Sequence, residues 1–362
     1  MREVIGVSWN CLYAIIGSQD KATPGLTWSI GSAAARTVMH QEIGCVVGDW
    51  TGGEVKALPK EELVRCLLIH QRVIERIMAD CTVLPVKFGT ILMGPREVRC
   101  LLSQGHSLLE EALSSVRDKV EIEVAATWDA RQVLQEVGKE GEVVRAREAV
   151  MGGGQPTVEQ RVQLGRVVKA CLDRRRERCR EEAVSFLKPV SVAFASNTLM
   201  SDEMVMNLAF LVERARRAEF DDRVQRLDDL FQNRINFRII GPLPPYSFSM
   251  VEVTRLTPSQ VEEARQALQL GDGVSQAEVR RAYRRLAAAV QRDLGPADKV
   301  ASERVARLRQ ASELLVAYCR ARGQANRDSL ADQYAGSLFA ISIKGSSAQE
   351  IEAARFGGAE RV

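Results

Sequence analysis

Thr82-Val83-Leu84-Pro85-Val86-Lys87-Phe88-Gly89-Thr90 marks the point where a helical period gives way to a strand period. Upstream, behind Pro59, the residues Leu63, Leu67, His70, Ile74 and Ile77 recur at steps of three and four. That spacing predicts a helix with one stripe facing a sheet. The quoted stretch predicts a strand from Val83 to Phe88. Far downstream, Ile235-Asn236-Phe237-Arg238-Ile239-Ile240 alternates like a half-buried strand and stops at Gly241-Pro242-Leu243-Pro244-Pro245-Tyr246-Ser247-Phe248. Two strand-to-turn units of this kind predict two α+β domains.

Together the two stretches resemble the hallmark segments "VLPxxFGT" and "GPxPPYSF" of the F/L family of gas vesicle accessory proteins, in the same order and at a comparable separation. The resemblance covers roughly residues 1–253. Cys11 to Ile16 resembles the family's opening "YLYAI" strand, and "NLAFLVER" at Asn207 to Arg214 its second-domain strand. The resemblance implies a ferredoxin-like second domain and a non-enzymatic assembly role. It also implies binding to the small hydrophobic shell protein A, help in nucleating or growing the shell, and other gas vesicle accessory proteins as further partners.

Composition bounds the alternatives. The 362 residues are 46% hydrophobic and 27% charged, the balance of a folded soluble protein with two or three domains. A net charge of +3 calls for neither nucleic acid nor an anionic membrane. The eight cysteines include no pair at the two-residue spacing of zinc or redox motifs, and they read as reduced, mostly buried thiols. The apolar segment Val4 to Ile16 is interrupted by Asn10 and lacks a cleavage site, so it reads as part of the fold and not as a signal peptide. The expected location is the cytoplasm and the gas vesicle.

In chain order, strands are expected at Cys11 to Ile16, Gly44 to Asp49, Val83 to Phe88 and Val120 to Ala125, with a helix that Pro95 opens and Gly105 interrupts. These form a first domain, residues 1–127. A second, residues 128–253, has helices from Ala130 to Val150 and Val158 to Leu187, separated by Gly152-Gly153-Gly154. Its remaining elements are strands at Val190 to Phe194 and Met206 to Val212, a helix from Ala218 to Phe231, and the Ile235 strand.

Thr257-Pro258 reads as a helix start and opens a basic module, residues 254–323. Arg255 to Arg322 holds thirteen basic against eight acidic residues, a net of +5, which leaves the rest of the chain 2 negative. Its first half resembles a J domain, except that the loop after the second helix reads Gln291-Arg292-Asp293 where a working module has His-Pro-Asp. The resemblance therefore implies a J-like fold without chaperone-ATPase stimulation. A tail, residues 324–362, carries one plausible strand, Leu338 to Lys344, that pairs onto a sheet edge of this chain or of a partner.

No catalytic constellation emerges. His40, His70 and His106 lie in different elements without metal-ligand spacing, and the triple glycine lacks the lysine of a phosphate loop. His70 reads as a buried, hydrogen-bonded side chain, and Asp173 to Glu182 as a mixed-charge helix face. No cofactor, metal, nucleic acid, membrane or small-molecule substrate is expected. The candidate partner-binding residues are Lys87 and Phe88, Pro242, Pro244, Pro245 and Tyr246 at the rigid strand exit, and Arg280, Arg281, Arg284 and Arg285 on one helix face. Phe339 and Ile341 in the tail strand complete the set. Two other readings are a J-protein-like co-chaperone or adaptor acting through residues 261–320, and an enzyme using His70 or Lys87 in a cleft.

Overall fold

The computed structural model describes residues 9–17, 27–30, 33–53, 55–151, 155–232, 234–294, 299–325 and 337–345. The triple glycine lies outside them. The described chain forms two compact units, one drawn from Met1–Arg117 and Ser249–Lys344, the other from Asp118–Phe248.

The first unit is built around β1 (Trp9–Gly17), fully buried from Asn10 to Ile16. On one side β1 pairs antiparallel with β4 (Ile43–Trp50), which continues to β3 (Ala33–His40) and β2 (Thr27–Ile30). On the other side it pairs with β5 (Val83–Pro85) and, further along, with β6 (Ile91–Met93). The opening motif is thus a loop that leaves β1 and returns to it, and the expected strand to Phe88 ends early for that reason. Gly89, at φ +84, makes the reversal in a conformation that side chains with a Cβ disfavour. The Thr90 hydroxyl closes the turn by donating to the Lys87 carbonyl at 2.7 Å. Gly89→Ala is expected to cost about 1–2 kcal/mol in chemical unfolding, with loss of turn geometry and not of packing.

Helix α1 (Lys60–Met78) begins with Glu61 and Glu62 at its positive end and buries His70, Val73, Ile74, Ile77 and Met78. The expected stripe therefore holds only from His70 onward, because Leu67 is exposed. Helix α2 (Gly94–Val116), with Pro95 in its first turn, runs unbroken through Gly105, contrary to the expected interruption. A Cβ at Gly105 would stand 2.6 Å from Ile341 Cδ1, so this glycine is a notch for a side chain of the C-terminal strand. That close approach outweighs the helix-propensity cost of about 1 kcal/mol.

Residues 254–344 are not a separate module followed by a tail. Strand β11 (Met250–Leu256) leads into three helices, α7 (Pro258–Ala267), α8 (Gln276–Leu294) and α9 (Lys299–Ala325). Strand β12 (Leu338–Lys344) then returns antiparallel along all seven residues of β11. Val86 bridges to Val251, and the Lys87 N–H donates to the Val251 carbonyl at 2.9 Å, which joins this pair to the opening motif. Phe339 lies in the core with Leu12, Leu84 and Leu101, while Leu338 and Ala340 pack on the helical cluster around Leu308 and Leu315. Composition shows the basic shift at residue 255, but not that the chain's own strand closes the unit. Thr257 caps α7 in a reciprocal box with Gln260, as the Thr-Pro signal predicts. Gln291-Arg292-Asp293 lies within α8 and not in a loop.

The second unit has sheet order β10-β7-β9-β8, from β7 (Lys119–Trp128), β8 (Ala193–Ser196), β9 (Met204–Glu213) and β10 (Ile235–Leu243). With α5 (Val158–Leu187) between β7 and β8, and α6 (Arg217–Leu230) between β9 and β10, this is the ferredoxin-like arrangement. Two short helices, α3 (Ala130–Val137) and α4 (Gly141–Met151), are inserted before α5. The expected boundary near residue 128 is corrected: β7 is a central strand of this sheet and opens the unit at 118. Val190 ends a 3-10 turn, and the expected strand there begins at Ala193.

Candidate partner-binding surfaces

The two motifs are held by buried polar groups. His70, 3% exposed, sits between the rings of Tyr13 at 5.3 Å and Phe88 at 5.4 Å, and its Nε2 meets the Val86 carbonyl at 3.0 Å. Burial pushes its pKa down to about 4, so at neutral pH the uncharged ring donates that bond. Lys87 points outward and pairs with Glu252 on β11 at 2.8 Å, the carboxylate that a lysine between apolar neighbours needs. Phe88 is half-buried.

At the second motif β10 reaches Leu243, past the expected stop, and Gly241 passes so close to β7 that a Cβ would stand 3.0 Å from the Glu121 carbonyl. Glu121, 1% exposed, accepts from the Ser247 N–H and hydroxyl, each at 2.8 Å. Burial pushes its pKa up to about 7 against those two bonds. Phe248 packs on Ala193, Ala195, Ala209 and Leu211. Pro244 and Pro245 are buried, leaving Pro242 exposed and Tyr246 half-buried. The prolines thus stiffen an exit that folds back on its own sheet.

Arg280, Arg281, Arg284 and Arg285 are all exposed on α8, and none is in an ion pair among the described residues. The Asp173 to Glu182 stretch differs, because four of its five arginines, all but Arg178, are committed. Arg174 pairs with Glu142, Arg175 with Glu136 at 2.6 Å and Glu140 at 2.9 Å, Arg176 with Asp173, and Arg180 with Glu177. The tail-strand candidates are corrected. Phe339 is 1% exposed, Ile341 fills the Gly105 notch, and Gln104 grips the Ser337 carbonyl at 2.8 Å and the Phe339 N–H at 3.0 Å. Their strand is spent on the chain's own fold. Gly105→Val is expected to cost about 1–3 kcal/mol, and adding Ile341→Ala to recover most of it in a double-mutant cycle.

Periodicity hid one surface. Val64, Leu67 and Leu68, 48%, 46% and 48% exposed, fall at steps of three and four on the first half of α1. They form an apolar stripe turned away from the core. A helical repeat shows that a stripe exists, but not where along the helix the sheet stops covering it.

Among the described residues no group of three or more His, Cys, Asp or Glu side chains is placed to take a metal, and no helix is long and apolar enough to cross a membrane. The described chain is an α+β frame with exposed apolar and cationic faces, and the polar groups of both motifs are engaged in the fold. The chain belongs to the gas vesicle synthesis protein GvpL/GvpF family, whose model matches residues 11–250. It is a gas vesicle accessory protein, and the family is not one of enzymes.

Gas vesicle protein F of a Streptomyces species is 32% identical over 243 residues, covering 66% of this chain and 98% of that one. Gas vesicle protein F of Dolichospermum flosaquae is 26% identical over 191 residues, covering 52% and 78%. Crystal structures of GvpF share the fold. The protein from Anabaena sp. superimposes with a TM-score of 0.58 at 22% identity over 66% of this chain and 97% of that one. For Microcystis aeruginosa the TM-score is 0.55, at 22% identity over 67% and 98%.

Proposed function

We propose that the chain binds the hydrophobic gas vesicle shell protein A in the cytoplasm and helps nucleate or grow the vesicle shell, alongside other gas vesicle accessory proteins. The observation that carries this reading is the α1 stripe of Val64, Leu67 and Leu68 on a chain that the GvpL/GvpF model matches over 240 residues. A highly apolar shell subunit must be kept from self-association before it reaches the growing edge, and an exposed apolar stripe rimmed by charge offers it temporary cover. Lys87, Phe88, Pro242 and Tyr246 supply further accessible contacts within their own units.

Co-expression with shell protein A and affinity purification tests this. The parent chain is expected to retain the shell protein, and Val64→Asp/Leu67→Asp/Leu68→Asp to lose at least about tenfold, since each buried apolar anchor contributes on the order of 1 kcal/mol or more. Retention by the triple variant would remove α1 as the docking face; failure of the parent to bind would remove the partner.

A second reading rests on the arginine face of α8, which fits an adaptor role through residues 261–320 toward an acidic protein. Its mark is binding that survives the α1 variant and is lost in Arg280→Glu/Arg284→Glu. Stimulation of an Hsp70 ATPase by the full chain would make that role a co-chaperone's.

A further inference from the structure

Between the start of α3, the middle of α5 and the turn from α6 into β10, the second unit holds an open cavity of about 390 Å³. That volume sits at the lower end of the range for binding pockets. Trp128, Phe231 and Ile235 line it while 6%, 8% and 4% exposed, which gives it an apolar floor, with Val133 and Cys179 beside them.

The charged lining falls into two sets. Asp129 is committed to capping α3, accepting the N–H groups of Arg131 and Gln132, and Arg175 is committed to Glu136. Arg178, Arg234 and Glu182 are exposed at the rim without an ion pair among the described residues; Arg234 gives only its Nε–H to the Phe231 carbonyl at 3.5 Å. Burial raises the Cys179 thiol pKa and so disfavours its thiolate.

We propose that this cavity anchors a segment of a partner protein that carries one bulky apolar side chain flanked by carboxylates. An apolar group entering over Trp128 and Phe231 is removed from water on an aromatic floor. A ligand without charge would leave the Arg178 and Arg234 guanidinium groups partly desolvated and unpaired, whereas flanking carboxylates meet both. The lining as a whole is balanced, with Asp129, Glu136 and Glu182 against Arg175, Arg178 and Arg234. The rim groups left without an ion pair among the described residues are two guanidinium groups and one carboxylate, Glu182, which takes a lysine or amide of the same segment. The inference concerns the chemistry of the segment and does not depend on shell protein A being its source.

The probe is the peptide acetyl-Asp-Phe-Glu-amide, titrated into the full chain while the indole N–H signal of Trp128 is followed by NMR. The chain's four tryptophans keep that spectrum simple, and Trp128→Phe assigns the signal. A saturable shift with Kd of about 1 mM is expected, weakened about tenfold or more by Cys179→Phe, which fills the cavity, and by Arg178→Glu/Arg234→Glu. Acetyl-Asp-Ala-Glu-amide and acetyl-Lys-Phe-Lys-amide are expected to bind at least about tenfold more weakly to the parent chain, a comparison that stands if either variant fails to fold. Absence of a saturable shift up to about 10 mM, or equal binding of either control peptide, overturns the proposal.

Discussion

Phe339→Ala is expected to lower the stability of the first unit by about 3–5 kcal/mol, the range for emptying a fully buried aromatic site. The ring is 1% exposed within the core that β1, β5 and α2 form, with the Arg255 guanidinium 5.8 Å from its centre. Its backbone is fixed by Gln104, so the site has little freedom to collapse around the missing ring. Denaturant unfolding followed through Trp28 and Trp50 reads this unit, and Trp128 reads the other. The first transition should move and the second should not. A loss below about 1 kcal/mol would mean that β12 is an accessory to the core and not part of it.

Acid and base should act on the two units in opposite directions. His70 is held at about 4, below its ordinary 6.5, so its contribution is complete above pH 6.5 and is lost as pH falls toward 4. Glu121 is held at about 7, above its ordinary 4.5, so its contribution is complete below pH 4.5 and is lost as pH rises through 7. Each displacement corresponds to about 3 kcal/mol across its window. Urea midpoints measured across that pH range should fall on acidification for the first unit and rise for the second, with His70→Gln flattening one slope and Glu121→Gln the other. Parallel slopes, or slopes that survive the substitutions, would contradict the assignment of these groups.

Much of this was legible in the residues. The strand that starts at Val83, the α1 and α5 helices, the Thr257 cap and the buried role of His70 follow from period, capping and composition, which are local signals. The rest depends on pairing across long separations. Val120 to Ala125 alternates clearly, but alternation does not say which sheet receives a strand, and proximity to α2 in sequence drew it to the wrong unit. Gly105 reads as a helix breaker until Ile341, more than two hundred residues away, is seen to need the space. The tail strand reads as free for a partner because nothing near it in sequence shows β11 as its mate. At the candidate surfaces, exposure separated the residues: Lys87 and the α8 arginines stay accessible, whereas Phe339, Pro244 and Pro245 are consumed by the fold.

Gas vesicle formation in the cell tests the central claim most directly. In a strain whose own gene for this chain is deleted, electron microscopy should show no vesicles, restoration by the parent chain, and no restoration by Val64→Asp/Leu67→Asp/Leu68→Asp present at normal protein level. Vesicles of normal number and width in the deletion strain, or full restoration by the triple variant, would contradict an assembly role carried by the exposed face of α1.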